Sequence, residues 1–516
     1  MDAISLSIFA NRIDAICGEM GVTLQKSAFS PNIRDRLDYS CAIFDAEGEL
    51  CAQAAHIPVH LGSMAFAMRD VVTAIDWATG DMIVLNDPYK GGTHLPDVTL
   101  IAPLFINNAL TGFVVNRAHH ADIGSEIPGS MPLSSDLSEE GLIIEPSLLV
   151  KNDVLEEQYF ADLMKPMRNK QASSGDFIAQ VAANRCGLVR LKALIEKMGR
   201  DAYLHSLIQL NKYAAKLAEK SLSDIADGEY CFDDVLDDDG QGNNDISIKA
   251  CIRFEPGKIT VDFAGSEKQV AGNINCPLSV TAAAVYYVFR CLMPPQTPAC
   301  AGSFKNIKIK APAHSVVNAS FPAAVVAGNV ETSTRIVDVV LGALSKVIPD
   351  RIPAASHGSM NNFAMGSVGD EHRAGWDYYE TIGGGMGANA HANGLDAVQT
   401  HMTNTLNTPI EALEMKYPVR VMRYQVRNDS AGVGQFCGGE GLIREYEFLA
   451  PAQVTILSER RSHHPWGLSG GERAAVGVNQ LNGKKLLSKE SFKVKVGDVV
   501  SLASAGGGGY GRAKKS

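Results

Sequence analysis

Apolar residues recur at close to helical spacing near the start of the chain. Ile8, Ile13, Ile16 and Met20 punctuate the proline-free stretch Ile4 to Phe29, which predicts a first helix. At Asp38 the pattern changes: Tyr39 to Phe44 and Glu49 to Gln53 read as two strands around the turn Asp45-Ala-Glu-Gly48, with Asp38 opening the hairpin. A second helix fits Gly62 to Ala78, and Met82 to Leu85 is a short apolar strand ending at Asn86-Asp87-Pro88. The Gly-rich loop Lys90 to His94 then leads through Pro96 into a strand over Val98 to Phe105. Asn107-Asn108 is a turn signal, and Leu110 to Val115 returns antiparallel toward Arg117-Ala-His119-His120.

Gly175 to Tyr213 reads as helical, and Leu222 to Phe263 as short β-like segments broken by Asp and Gly. Beyond Pro322 the chain is rich in Gly, Asn, Thr and His, a composition of loops carried on strands. The pattern predicts a mixed α/β protein: an N-terminal α/β region over 1–220 with the candidate site, a β-rich middle region over 221–325, and a Gly/Asn-rich region over 326–516 that completes the site.

Composition narrows the class. With 516 residues, 46% apolar and 20% charged, the chain has length for a large core and is neither disordered nor fibrous. Lys and Arg number 47 against 57 Asp and Glu, a net charge of −10, which argues against nucleic acid as partner because that affinity rests on clustered cations. No basic region precedes an apolar stretch near Met1, so a signal peptide is not expected. The uncharged run Val270 to Phe289 contains Asn273, Asn275 and Pro277, wrong for a bilayer span. A cytoplasmic protein is expected. The 10 cysteines show no CxxC spacing, and a chain this long is no disulfide scaffold.

The strongest chemical signal is His94-Leu-Pro-Asp97 together with His119-His120. Across a hairpin turning at Asn107-Asn108, a two-residue loop pairs Asp97 with Ala118 and a three-residue loop pairs it with His119. Directly opposed Cβ atoms lie about 4.5 to 5.5 Å apart, so imidazole and carboxylate converge at one hairpin end. In the two-residue case, alternation turns His120 rather than His119 to the side of Asp97. Such a donor set suits zinc, manganese or iron.

Other motifs are weaker. Gly383 to Ala388 fits GxGxxA, but no good helix follows, so a tight glycine loop near a ligand is the better reading. Asp237, Asp239, Gln241 and Gly242 resemble the start of a calcium loop, yet Ile248 stands where a bidentate Glu is needed, so a hairpin turn is expected. Glu459 to Gly467 reads as a rigid surface loop, and His391 and His401 as satisfied core or loop histidines, with a second polar cluster the alternative. No GxxxxGK[ST] loop occurs.

Taken together, Arg36-Leu-Asp-Tyr-Ser40, His56-Ile-Pro-Val-His60, Asn86 to Asp97, Arg117-Ala-His-His-Ala-Asp122, Gln180 to Asn184, Gly328 to Ser333, Glu380 to Gly387 and His401 to Pro409 resemble the hydantoinase B / oxoprolinase family over nearly the whole chain. That family includes ATP-dependent hydantoinases, 5-oxoprolinases, lactamases and related subunits of acetone and acetophenone carboxylases. The resemblance implies an α/β hydantoinase B-like body that works in an α2β2 assembly beside a hydantoinase A type subunit, which binds the ATP. It implies a divalent metal held by Asp38, His94, Asp97 and His119, and the match at His119 favours the three-residue turn. His120 and Asp122 are then candidates to orient ligands or move protons. The implied reaction is hydrolysis of a cyclic amide phosphorylated by the partner. Carboxylation of a ketone is the rival enzyme reading, and a non-catalytic scaffold of the ATPase the third.

Overall fold

The computed structural model describes residues 2–60, 62–370 and 373–513. It begins with α1 (Ala3–Ser27) and the single turn α2 (Pro31–Arg34). Then come β1 (Tyr39–Asp45), β2 (Leu50–Ala55), α3 (Ser63–Ala74), β3 (Met82–Leu85), β4 (Asp97–Ile106) and β5 (Ala109–His119). The first region ends with β6 (Ser147–Lys151), β7 (Val154–Leu155), α4 (Glu157–Met164), α5 (Lys170–Met198) and α6 (Arg200–Leu222). Its seven strands form one antiparallel sheet, ordered β2-β1-β5-β4-β3-β6-β7.

Side-chain alternation gives this sheet two apolar faces. Val98, Leu100, Val114 and Ala118 pack with α1, α5 and α6, whereas Ile101, Phe113 and Val115 pack with Met64, Met68 and Val71 of α3. The helical stretch expected over 175–213 is two helices, because Gly199 between them takes φ 87°, a conformation that interrupts an α-helix.

The middle of the chain supplies β8 (Gly228–Asp238), β9 (Asn244–Glu255), β10 (Lys258–Asp262), α7 (Leu278–Cys291) and β11 (Ile307–Lys310), with a sheet ordered β11-β10-β9-β8. These strands are longer than the broken pattern suggested, and the acidic stretch at 237–242 is the turn between β8 and β9. There Asp239 Oδ1 accepts the backbone N–H of Gln241 and of Asn243, which explains the calcium-like spacing without calcium. Cys231 and Cys251, facing each other across β8 and β9, form a disulfide that the cysteine spacing did not suggest.

The third region contains α8 (Ser333–Leu344), β12 (Asn362–Asp370), β13 (Arg373–Glu380), α9 (Ile410–Lys416), β14 (Val419–Arg427), β15 (Gly441–Phe448) and β16 (Ala452–Leu457). The strands β17 (Val478–Leu481), β18 (Lys484–Lys485), β19 (Lys489–Val494) and β20 (Val499–Ala503) close it. They make sheets ordered β13-β12-β16-β19 and β14-β15-β20-β17-β18. Helix α8 is buried on every side, so its two charged residues pair: Arg335 with Asp338 at 2.7 Å. Asp338 also binds Arg460 at 2.6 Å. The basic loop at 459–467 is thus anchored in the interior through Glu459, Arg460 and Arg461, not laid on the surface.

The glycine runs are interlocked backbones. Gly439 N–H donates to Met386 O, Gly507 N–H to Gly439 O, and Gly432 N–H to Gly507 O. A Cβ on Gly438 would lie 1.8 Å from Gly507 O, and one on Gly507 2.0 Å from Met386 O. Gly438→Ala is therefore expected to destabilise the chain by roughly 4 kcal/mol or more, or to prevent soluble expression. Gly18→Ala, at a helical position with nothing within 4 Å, should instead stabilise by about 0.5–1 kcal/mol. Urea denaturation of the two variants checks both signs.

Candidate metal centre

The β4–β5 hairpin sets the site. Its turn has two residues, with Ile106 opposite Ala109 and Asn107 and Asn108 at φ 51° and 62°, the left-handed pair of a type I′ turn. Leu104 opposes Gly112 while Phe105 opposes Leu110, so Thr111 is an extra residue in a bulge. That bulge shifts the register by one and puts Asp97 opposite His119. The pairing tied to a three-residue turn is reached instead by a two-residue turn plus a bulge.

Pleating then separates the adjacent histidines. His119 shares the α3 face of the sheet with Asp97. His120 turns to the opposite face, where Nε2 lies 2.9 Å from Gln180 Oε1 and the ring packs on Phe177 at 4.5 Å. Asp122 is also apart from the cluster: Oδ1 accepts Gly124 N–H and Oδ2 accepts Arg168 N–H, and the residue lines a separate cavity of about 720 Å³ beside Asp176 and Asp377.

His94, Asp97 and His119 meet in the interior. His94 Nε2 is 3.3 Å from His119 Nδ1, and Asp97 Oδ1 is 3.2 Å from each nitrogen. Asp97 Oδ1 nevertheless makes no well-aligned hydrogen bond, so the three atoms converge on a common point rather than on each other. Ligand bonds of about 2.1 Å at octahedral to tetrahedral angles span edges of about 3.0 to 3.4 Å, so the triangle fits a divalent ion. His94 Nδ1 lies 3.1 Å from Val326 O, and donation to that carbonyl leaves Nε2 with its lone pair inward. Asp38 adds no donor to the tight cluster; it borders, with Asp97 and His119, a cavity of about 20 Å³.

Charge is balanced locally. Burial would raise the Asp97 carboxyl, but the charge of His94 and the contacts of His119 and His60 hold it well below the carboxylate range. Burial pushes His94 down, yet the Asp97 charge outweighs it and the imidazole rises; for His119 burial prevails and the imidazole falls.

Sequence patterns missed several neighbours. His60 Nε2 lies 3.4 Å from Asp97 Oδ2, and Asn329 Nδ2 3.3 Å from the same oxygen. Tyr379 of β13 stacks on His119 at 5.0 Å, and the Arg36 guanidinium lies 4.7 Å from the Tyr379 ring centre. The Tyr379 hydroxyl donates to Asn362 Oδ1, and Asn362 Nδ2 donates to Glu331 Oε1. Asn329 and Glu331 sit on a π-helical turn, Gly328–Thr332, a local distortion frequent at functional sites. His60 was legible only inside a family motif, and nothing in spacing joins 329 or 379 to 97. His391 and His401 are separate histidines: His391 is exposed, and His401 is half-buried against Tyr287.

The Hydantoinase B/oxoprolinase profile matches residues 2–513, and the chain belongs to that family. It is 40% identical to an uncharacterized protein of Methanocaldococcus jannaschii over 99% of this chain and 91% of that one. It is 39% identical to 5-oxoprolinase 1 of Arabidopsis thaliana over 99% of this chain but 42% of that protein, so it spans about two fifths of such an oxoprolinase. The ATP-dependent caprolactamase from Pseudomonas jessenii superposes with a TM-score of 0.92 and 27% identity, covering 99% of this chain and 91% of that one. An acetone carboxylase chain shares the fold, with a TM-score of 0.88 at 17% identity over 98% of this chain and 75% of that one. Among the described residues no helix is long and apolar enough to cross a membrane.

Glu331 gives a pH test. Burial, reinforced by Glu459, raises its carboxyl from 4.5 to about 8. The folded chain therefore binds a proton that the unfolded chain releases, and this group's contribution to stability falls as pH rises from 4.5 to about 8. Glu331→Gln removes that dependence. Its melting temperature relative to wild type should rise across that window, and a flat difference would show that Glu331 is ionised in the fold.

Proposed function

We propose that this chain is the metal-dependent component of an ATP-dependent cyclic amide hydrolase, acting on a ring that a hydantoinase A type partner has phosphorylated. The observation that carries this reading is the convergence of His94, Asp97 and His119 at 3.2–3.3 Å beside a cavity of about 20 Å³. The names of the 5-oxoprolinase and caprolactamase relatives favour cyclic amides over ketones, since the carboxylase likeness is one of fold.

When bound, a divalent ion supplies Lewis acidity, lowering the pKa of a water from 15.7 toward about 7. The chain's own residues do the rest. His94, Asp97 and His119 hold the ion, with Asp38 reaching the same cavity. Tyr379 fixes the plane of His119 by stacking, and the burial of every donor excludes bulk water. Thr381, Thr403 and Thr405 border the same cavity, whose volume matches about one water. His120 and Asp122 act through the scaffold: His120 ties β5 to α5 through Gln180, and Asp122 caps its own loop.

Asp97→Ala and His119→Ala should each lose the bound ion from the purified chain. His120→Ala should retain it while losing roughly 1–3 kcal/mol of stability with the Gln180 bond and the Phe177 contact. Metal analysis and denaturation separate the two histidines. The activity test is ATP hydrolysis by the chain with its partner, screened against 5-oxoproline, hydantoin and caprolactam, and against acetone with bicarbonate. Amide-stimulated turnover that releases a ring-opened acid is expected; turnover requiring ketone and bicarbonate would assign the site to carboxylation.

A further inference from the structure

The two oxygens of Asp97 stand in different surroundings. Oδ1 faces His94 and His119, whereas Oδ2 accepts the Thr93 hydroxyl at 2.5 Å and Asn329 Nδ2–H at 3.3 Å. A third group approaches Oδ2: His60, from the short turn Pro58–His60 ahead of α3. This imidazole is wholly buried. Its Nδ1 lies 2.9 Å from Ser40 Oγ on β1, and its Nε2, which makes no well-aligned hydrogen bond, faces Oδ2 at 3.4 Å.

We infer that His60 is a positioning residue that holds Asp97 as a one-oxygen ligand. Donation of the Ser40 hydroxyl to Nδ1 would leave the imidazole proton on Nε2, the nitrogen that faces Oδ2 at 3.4 Å. With Oδ2 hydrogen-bonded by Thr93 and Asn329 and faced by His60, the carboxylate is held against swinging to offer both oxygens, and Oδ1 alone points to the space between His94 and His119. Outer hydrogen bonds of this kind fix the orientation of a ligating carboxylate, and their loss typically weakens metal affinity 10–100-fold. The inference rests on the metal reading above and adds to it a residue that contacts the ligand but not the ion.

The test is zinc and manganese affinity of the purified full-length chain, measured by chelator competition, with the number of histidine ligands read by X-ray absorption. His60→Ala is expected to weaken binding roughly 10–100-fold while two histidine ligands remain. His60→Gln, whose amide N–H can reach Oδ2, should recover most of the loss. Ser40→Ala should weaken binding in the same direction by a smaller factor and add nothing in the His60→Ala background, because both act through one hydrogen bond. Should His60→Ala fail to fold, Ser40→Ala and His60→Gln carry the same comparison. Wild-type affinity in His60→Ala and Ser40→Ala would overturn the inference, as would three histidine ligands in the wild type, which would make His60 a direct ligand. A wild-type chain that binds neither ion would overturn the metal reading and this inference together, whereas tight wild-type binding with indifferent variants would overturn the inference alone.

Discussion

Asp97 is an ionised carboxylate in the interior, and a buried charge is tolerated only where opposite charge and hydrogen bonds replace water. Those replacements come from four places in the chain: Thr93 and His94 in the preceding loop, His119 across the hairpin, His60 before α3, and Asn329 on the π-helical turn. Each donor is itself tied down. His94 is bound to the Val326 carbonyl, His60 to Ser40, and His119 lies under Tyr379. Burying one acid thus draws on the N-terminal sheet together with residues 326–329 and β13, and the site is built from both regions.

The C-terminal half meets this requirement with a rigid wall. Tyr379 lies on β13 between Tyr378 and Glu380, and Glu380 makes a buried ion pair with Arg444 of β15 at 2.9 Å. Behind that wall the glycine runs pack backbone to backbone, with contacts that no side chain could share. Such packing leaves the connecting segments little freedom, although they carry few helices or strands. Glu331 links this wall to the site through Asn362 and Tyr379. Glu331 itself is wholly buried at this junction.

Much of the N-terminal architecture was legible in the chain because its signals are local. The period of Ile13, Ile16 and Met20 marked α1, the Asn107-Asn108 pair marked the hairpin, and the family motifs gathered His94, Asp97 and His119. Where a local signal has two physical outcomes, the reading stalled. Gly199 ended one helix and began another inside what reads as a single helical run, and a loop length could not disclose the bulge at Thr111. The arginine-rich loop at 459–467 looked solvated, because the acids that bury it, Asp234, Asp237 and Asp338, lie more than 100 residues away.

The sequence by itself determined the family, the mixed α/β class and the donor types, since these depend on residue identity and on spacing within one strand or loop. The family motif favoured His119 over His120, but only the tertiary structure decided how His119 comes to face Asp97, because a single bulged residue sets which side chains share a face of the sheet. The tertiary structure also decided that Asp38 borders the cavity without entering the tight cluster, and that His60, Asn329 and Tyr379 belong to the site. Those placements follow from how distant segments pack, and no local period or propensity encodes a contact between residues 97 and 329.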